Sequence, residues 1–273
     1  MTPLRSRPAL VGALLLGAAA ALAYAPAIAQ TPDAALAAAV AAPTRTAANM
    51  ARDQYRHPAE TLAFFGVKPT DTVVEIWPMG GWYTEILAPY LKDKGALWAV
   101  DFWPDNLKGT RELQAKDAAL YGAIKLAAFP ASTGEPTVPA GSADIVLTFR
   151  NVHNWQMGYK RNNVGYAPEA FAQMFAMLKP GGILGVVDHR LPESADIARE
   201  KSSGYVKAST VRKLAEDAGF EFVGASEVNA NAKDTTDHPR GVWTLLPVLG
   251  GGEDYRAIGE SDRMTLKFRK PAG

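Results

Sequence analysis

The chain has 273 residues, of which 48% are hydrophobic, and a formal net charge of +1, so it can bury a sizeable core as one large domain or two small ones. Its lysines and arginines are scattered rather than clustered, which argues against a nucleic-acid-binding surface. It has no cysteine, which excludes disulfides and a lipid-accepting cysteine.

The first 29 residues have the pattern of a secretory signal. Arg5 and Arg7 give a positive start, an apolar run follows from about residue 9 to 23, and Ala27-Ile28-Ala29 is typical of a cleavage site before Gln30. The run is shorter than the ~20 residues that cross a membrane. We therefore expect a cleaved signal over residues 1–29 and a periplasmic or secreted protein without a stable membrane anchor; an uncleaved anchor is the alternative.

Residues 30–46 are Ala-rich and bounded by Pro32 and Pro43, which predicts a helical or loose linker. The folded domain is expected to comprise residues 47–273. Pro58 suits the first turn of a helix and Gly66 suits the cap after its end, with Leu62 and Phe65 packing inward.

From Asp71 onward, predicted strands and helices alternate. Short apolar runs predict strands at 73–76, 96–101, 124–129, 143–149, 183–188, 221–228 and 264–268. Helical spacing predicts helices near 82–91, 110–121, 168–178 and 208–218. This alternation predicts an α/β fold with a mostly parallel sheet covered on both faces.

The stretch from Thr72 to Leu87 reads as strand, glycine-containing turn and helix. Such a turn presents backbone N–H groups to a bound cofactor. Asp101 ends the second strand 20 residues after Gly81, a spacing at which a carboxylate accepts hydrogen bonds from ribose hydroxyls. The alternatives are that the turn only joins strand to helix and that Asp101 caps the next element. Phe102 would flank an adenine ring or belong to the core.

Polar residues follow the fourth and fifth predicted strands. Asn151 offers an amide and His153 a general base, in a segment expected to be a loop. Asp188, His189 and Arg190 end the fifth strand at the same edge, where the carboxylate would orient a histidine or the three would form a local ion-pair cluster. The histidines lack the short helical spacing of zinc motifs, so no metal is expected.

The order of these features resembles that of class I S-adenosylmethionine-dependent methyltransferases, and more narrowly a group of exported bacterial proteins predicted to be methyltransferases. The segments that carry the resemblance are Tyr55-Arg56-His57-Pro58, Gly80-Gly81-Trp82-Tyr83, Asn151-Val152-His153-Asn154-Trp155, Leu178-Lys179-Pro180-Gly181-Gly182, Val187-Asp188-His189-Arg190, Asn229-Ala230-Asn231 and Gly259-Glu260-Ser261-Asp262-Arg263-Met264. The resemblance implies a Rossmann-like, doubly wound, mostly parallel seven-stranded sheet with an antiparallel last strand. It places the ligand above the carboxyl ends of strands one, two and four.

The resemblance also implies S-adenosylmethionine as the cofactor and a small molecule as the methyl acceptor. The implied cofactor-binding residues are Glu75, Trp77, Gly80, Gly81, Asp101 and Phe102, and the candidate catalytic residues are Asn151, His153 and His189. In the family the first turn reads acid-x-Gly-x-Gly-x-Gly, whereas Trp77 and Met79 stand at the first two glycine positions here. The alternative function is therefore an exported, non-catalytic protein that binds a ligand or partner on a degenerate methyltransferase fold.

Overall fold

An eight-stranded sheet forms the centre of the protein in the computed structural model, which describes residues 31–273. The predicted signal sequence lies outside the described residues. The strands are β1 (Thr72–Ile76), β2 (Ala96–Asp101), β3 (Lys125–Ala128), β4 (Ala143–Phe149), β5 (Leu178–Leu191), β6 (Val206–Lys207), β7 (Glu221–Ser226) and β8 (Arg263–Arg269). The order is β3-β2-β1-β4-β5-β8-β7, and the short β6 pairs with β5 beyond this path.

The strand directions confirm the predicted sheet. β1 pairs in parallel with β2 and β4, and β4 with β5, whereas β8 is antiparallel to both β5 and β7. The strand order changes direction between β1 and β4: β2 and β3 follow on one side of β1, and β4 and β5 on the other. The carboxyl ends of β1 and β4 therefore border the crevice where ligands bind in such sheets.

Helices cover both faces of the sheet. They are α1 (Ala34–Val40), α2 (Ala47–Met50), α3 (Asp53–Arg56), α4 (Pro58–Phe65), α5 (Thr84–Leu91), α6 (Lys108–Lys116), α7 (Ala118–Tyr121), α8 (Val152–Met157), α9 (Ala167–Met177) and α10 (Ala208–Asp217). As predicted, α4 begins at Pro58 and ends before Gly66, whose φ of 79° suits a residue without a Cβ. Among the described residues no helix combines the length and apolar character needed to cross a membrane.

Two apolar clusters lie on opposite faces of the sheet. Phe171 and Met174 of α9 are buried on one face, and Phe65 of α4 and Ile86 of α5 on the other. The α4 side is tightly fitted, because a Cβ on Gly185 of β5 would lie 2.7 Å from the ring of Phe65. Close packing of this kind fixes where the carboxyl end of β5 lies.

Three local expectations differ from the structure. Residues 152–157 form helix α8 rather than a loop, with Asn151 at the N-cap position and Gly158 ending the helix at φ 74°. The helix predicted near 110–121 is divided, because Asp117 leaves the helical conformation and its carboxylate caps α7. Residues before 47 also pack into the body: Leu36 of α1 is 1% exposed, and Tyr90 of α5 donates to Asp33 at 2.8 Å.

Candidate active site

The turn after β1 keeps the backbone of a glycine-rich turn without all of its glycines. Trp77, Met79 and Gly81, at the three glycine positions of the family pattern, have φ of 52°, 52° and 77°. Left-handed backbone is unfavourable for the two residues that carry a Cβ. Gly80, between Met79 and Gly81, does not have a positive φ.

The side chain of Trp77 fills the space above the ends of β1, β2 and β3. Its indole N–H donates to the carbonyl of Phe129 at 3.0 Å, and the residue is 6% exposed. Its ring lies 5.3 Å from that of Phe102, 5.8 Å from Trp155 and 5.9 Å from Tyr159, centroid to centroid. The indole therefore occupies the place beside Phe102 where the sequence led us to expect an adenine ring. Met79, by contrast, is 58% exposed and lies at the rim.

Asp101, the last residue of β2, is fully buried. Its Oδ1 accepts from the backbone N–H of Phe102 at 2.7 Å and from the amide of Asn106 at 3.0 Å, so it caps the segment after β2. Its Oδ2 has no partner among the described residues. Burial raises the pKa of this carboxyl to about 6, against the opposing effect of the Asn106 and Phe102 donors. An unpaired buried acceptor is what a ligand hydroxyl would satisfy.

His153 of α8 and Asp188 of β5 form a buried dyad. Nδ1 of His153 lies 2.8 Å from Oδ1 of Asp188, and the backbone N–H of His153 donates to Oδ2 at 3.1 Å. Because a carboxylate only accepts, Nδ1 carries the proton that lies against Asp188, and Nε2 is the ring nitrogen that remains for a ligand. This is the arrangement of a general base whose ring is held by a carboxylate.

His189 lies beside the dyad but is held differently. Its ring centroid is 5.0 Å from that of His153, and its Nδ1 lies 2.5 Å from Oγ of Ser261. Asp188 was considered as the group that orients the adjacent histidine, but it contacts only the backbone N–H of His189. Burial, together with the nearby His153, Arg263 and Arg150, places the pKa of His189 well below its usual value, so this imidazole is neutral.

Glu75 links β1 to helix α5, and Asn151 links β1 to β4. Glu75 is 2% exposed and accepts from the hydroxyl of Thr84 at 2.6 Å. Burial raises the pKa of its carboxyl to about 7. Asn151 donates both to the carbonyl of Ile76 at 3.0 Å and to the hydroxyl of Thr148 at 3.1 Å, so its amide protons are occupied in holding β1 against β4.

One cavity of about 290 Å³ lies at the carboxyl edge of β1, β4 and β5. Of the predicted site residues it brings together Glu75, Trp77, Asn151, His153 and His189. Gly80, Gly81, Asp101 and Phe102 are not in its lining. The volume is at the lower end of the range for small-molecule sites.

Two parts of the cavity wall were missed in the sequence. Arg150, the first residue after β4, lines the cavity and was given no role from the sequence. The late segment between β7 and β8 supplies the opposite wall with Val242, Trp243, Leu246, Pro247 and Val248. The sequence did carry one signal for Arg150: it directly follows the strand predicted at 143–149, and residues at strand ends lie at the ligand-binding edge of such a sheet.

An arginine cluster lies under the same site. Glu260 is 2% exposed and accepts from Arg52 at 2.7 Å, from Arg56 at 2.9 Å and from Arg263. Arg190 pairs with Asp262 and Glu227, so it belongs to a local ion-pair group of the kind considered from the sequence. His238 pairs with Asp234 at 2.8 Å and is not part of the cavity lining.

Comparisons with known proteins bear on the fold. No protein-family model and no curated protein matches this sequence. Among solved structures, a SAM-dependent methyltransferase from Aquifex aeolicus superposes with a TM-score of 0.53 at 15% identity, over 80% of this chain and 92% of the other. An arsenic(III) S-adenosylmethionine methyltransferase from Chlamydomonas reinhardtii gives 0.50 at 15% identity, over 88% and 74%.

A third solved structure, the [4+2]-cyclase SpnF, gives a TM-score of 0.52 at 14% identity, over 83% of this chain and 82% of that one. Identities this low establish architecture and leave the reaction to be argued from the site. The strand order, the antiparallel β8 and these superpositions agree: the chain has the class I methyltransferase fold.

Proposed function

We propose that this protein is an S-adenosylmethionine-dependent methyltransferase that acts on a small-molecule acceptor. The observation that carries the proposal is the placement of the His153–Asp188 dyad in a cavity bordered by the turn after β1, within a class I methyltransferase fold. In a site of this kind the protein positions the acceptor and removes a proton from it.

The chain partly fits the cofactor. Asp101 keeps an unpaired buried oxygen for a ribose hydroxyl, and Glu75 lines the cavity as an acid poised to ionise near neutral pH. The adenosine end does not fit in this conformation, because the Trp77 indole fills the space between Phe102 and Trp155. Binding therefore requires the Trp77 side chain to leave that position.

The chain's own residues would act as follows. When bound, S-adenosylmethionine supplies an electrophilic methyl group. His153 accepts the proton of the acceptor nucleophile at Nε2, and Asp188 holds the imidazole in the tautomer that makes this possible. The stacked rings of Tyr83 and Phe149, 3.6 Å apart, exclude water from one side of the cavity.

The test is calorimetric titration of the protein with S-adenosylmethionine and S-adenosylhomocysteine. We expect micromolar binding that is lost in Asp101→Ala and retained in Asp105→Ala, a nearby exposed control. No detectable heat at millimolar ligand would contradict the proposal.

One observation favours a second function, a binding protein that has given up methyl transfer. The Trp77 indole is anchored by a hydrogen bond and three ring contacts, as a permanent core residue would be. In that case the cavity near His153 remains a ligand site and the Asp101 side stays closed.

We further propose export through the N-terminal signal. Mass spectrometry of the N-terminus of the mature protein would test this by finding Gln30 as the first residue.

A further inference from the structure

Arg150 places a guanidinium at the border of the cavity. Among residues 31–273 its side chain makes no hydrogen bond or ion pair, although it is partly buried and borders the cavity. Burial and the repulsion of Arg263 lower the pKa of this guanidinium to about 10, so it stays charged at neutral pH. This partly buried guanidinium therefore has donors that a ligand in the cavity can satisfy.

The backbone of Arg150 is also held in an unfavourable conformation. Its φ is 64°, and its N–H donates to the carbonyl of Val187 at 2.7 Å, which fixes the residue between β4 and β5. A non-glycine residue in this region costs on the order of 1–3 kcal/mol, and such residues concentrate at functional sites.

The carboxylates near Arg150 are already engaged. Glu260 accepts from Arg52, Arg56 and Arg263. Asp188 accepts from the ring and backbone of His153 and from the backbone of His189. The surroundings of Arg150 therefore hold four arginines against these two carboxylates. Of the four, Arg56 and Arg150 line the cavity, which Glu75 also lines, so a surplus of positive charge lies beside the cavity.

The same surplus argues against a cation. The ligating atoms of His153, Asp188 and His189 lie within 4.8 Å of one another, which meets the spacing of a metal centre. However, the oxygens of Asp188 are taken by three N–H groups, and Arg150 and Arg263 lie close enough to depress the pKa of His189. Like charge of this kind disfavours a divalent ion and favours an anion.

From these observations we infer that the cavity binds a small ligand through an anionic group, a carboxylate or a phosphate, held by the Arg150 guanidinium. A guanidinium recognises both groups with two parallel hydrogen bonds. The rest of the ligand faces aromatic and apolar walls that include Trp82, Tyr83 and Trp243, which suits a flat apolar body. That this ligand is the methyl acceptor rests on the proposed function; its binding does not.

The test uses phenyl phosphate and benzoate as probes, with benzamide as their neutral counterpart, titrated calorimetrically into the purified protein. We expect saturable binding of at least one anion and none of benzamide. Arg150→Met, which keeps an unbranched side chain but removes the charge and its N–H donors, should weaken binding about tenfold or more, as expected for hydrogen bonds to a charged group. Arg111→Met, which removes an arginine outside the cavity, should bind like the wild type.

A second measurement avoids reliance on the folding of Arg150→Met. Phenylglyoxal labels accessible arginines, and peptide mass spectrometry locates the label. We expect the bound anion to protect Arg150 and leave the labelling of Arg111 unchanged. Equal binding of benzamide, undiminished anion binding in a folded Arg150→Met, absence of protection, or binding of Zn²⁺ without binding of either anion would overturn the inference. Stronger binding of phenyl phosphate or of benzoate identifies the anionic group.

The outcome is separable from that of the proposed function. Anion binding with no affinity for S-adenosylmethionine would retain the Arg150 site and contradict the methyltransferase. Cofactor binding with no anion binding at Arg150 would do the reverse.

Discussion

Asp188 holds His153 at two points, with Oδ1 2.8 Å from the ring Nδ1 and Oδ2 3.1 Å from the backbone nitrogen. This carboxylate thus fixes both the start of α8 and the orientation of the imidazole that faces the cavity. The side chain joins the end of β5 to the segment after β4, so the chemistry of the site and the packing of the sheet depend on the same residue.

Removing that carboxylate should destabilise the protein. Asp188→Ala leaves three buried N–H donors without an acceptor, and we expect the free energy of unfolding in urea to fall by about 3–5 kcal/mol. Asp217→Ala, which removes an exposed partner of Lys213, should change it by less than about 1 kcal/mol. Equal effects of the two substitutions would mean that the dyad contributes nothing beyond a surface pair.

Trp77→Gly should open the space beside Asp101. Glycine suits the φ of 52°, and loss of the indole empties the space beside Phe102, the residue next to Asp101 with its unpaired Oδ2. The affinity for S-adenosylhomocysteine measured by calorimetry should therefore rise. Loss of a buried tryptophan should also lower the free energy of unfolding by about 3–5 kcal/mol. The control is Trp98→Ala, which removes a partly buried tryptophan of β2 and should not improve binding. If Trp77→Gly folds and still binds no cofactor, the non-catalytic function is favoured.

The carboxyl of Glu75 should make stability depend on pH. Its pKa is about 7 in the folded protein, against an ordinary value of 4.5, so the folded state binds the proton more tightly. The stabilisation is therefore complete below about pH 4.5 and is lost as the pH rises through about 7, amounting to about 3 kcal/mol. Glu75→Gln keeps an acceptor for Thr84 and should flatten this part of the stability curve measured by urea unfolding. A curve that keeps its slope in the variant would assign the dependence to another group.

Neutralising Glu260 should loosen the N-terminal helices. Glu260→Gln leaves Arg52, Arg56 and Arg263 without their shared carboxylate, and we expect a loss of about 3–5 kcal/mol of unfolding free energy. Limited proteolysis should then cut first near residues 45–57. Glu253→Gln, in an exposed pair with Arg256, serves as the matched control and should leave both the stability and the cleavage pattern unchanged. Unchanged proteolysis in Glu260→Gln would show that packing alone holds these helices.

Much of the sheet could be predicted because apolar runs and helical spacing are local signals. The strand at 143–149 and the antiparallel last strand were placed correctly, the latter through the family resemblance. Helix α8 was missed although Asn151 is a favourable N-cap and Val152 and Trp155 repeat at helical spacing. The same pattern at Leu36 and Ala39 marked the buried face of α1.

The site was harder to predict because its partners come from distant elements. That His153 and Asp188 lie at one sheet edge follows from topology, but which histidine the carboxylate would hold depends on side-chain directions. The positive φ values of Trp77 and Arg150 are visible only in the backbone, since neither residue type signals them. The place of the indole beside Phe102 likewise required the folded packing.

The shared carboxylate of Glu260 has a consequence for how the protein is made. Arg56 pairs with a carboxylate that lies 204 residues further along the chain. That carboxylate comes shortly before β8, the last strand, which lies between β5 and β7 in the sheet. Contacts of such long sequence separation form late and slow folding. A nascent chain that does not yet include residue 260 would therefore leave Arg52 and Arg56 without this carboxylate, so the native ion-pair cluster forms only after that residue has been synthesised.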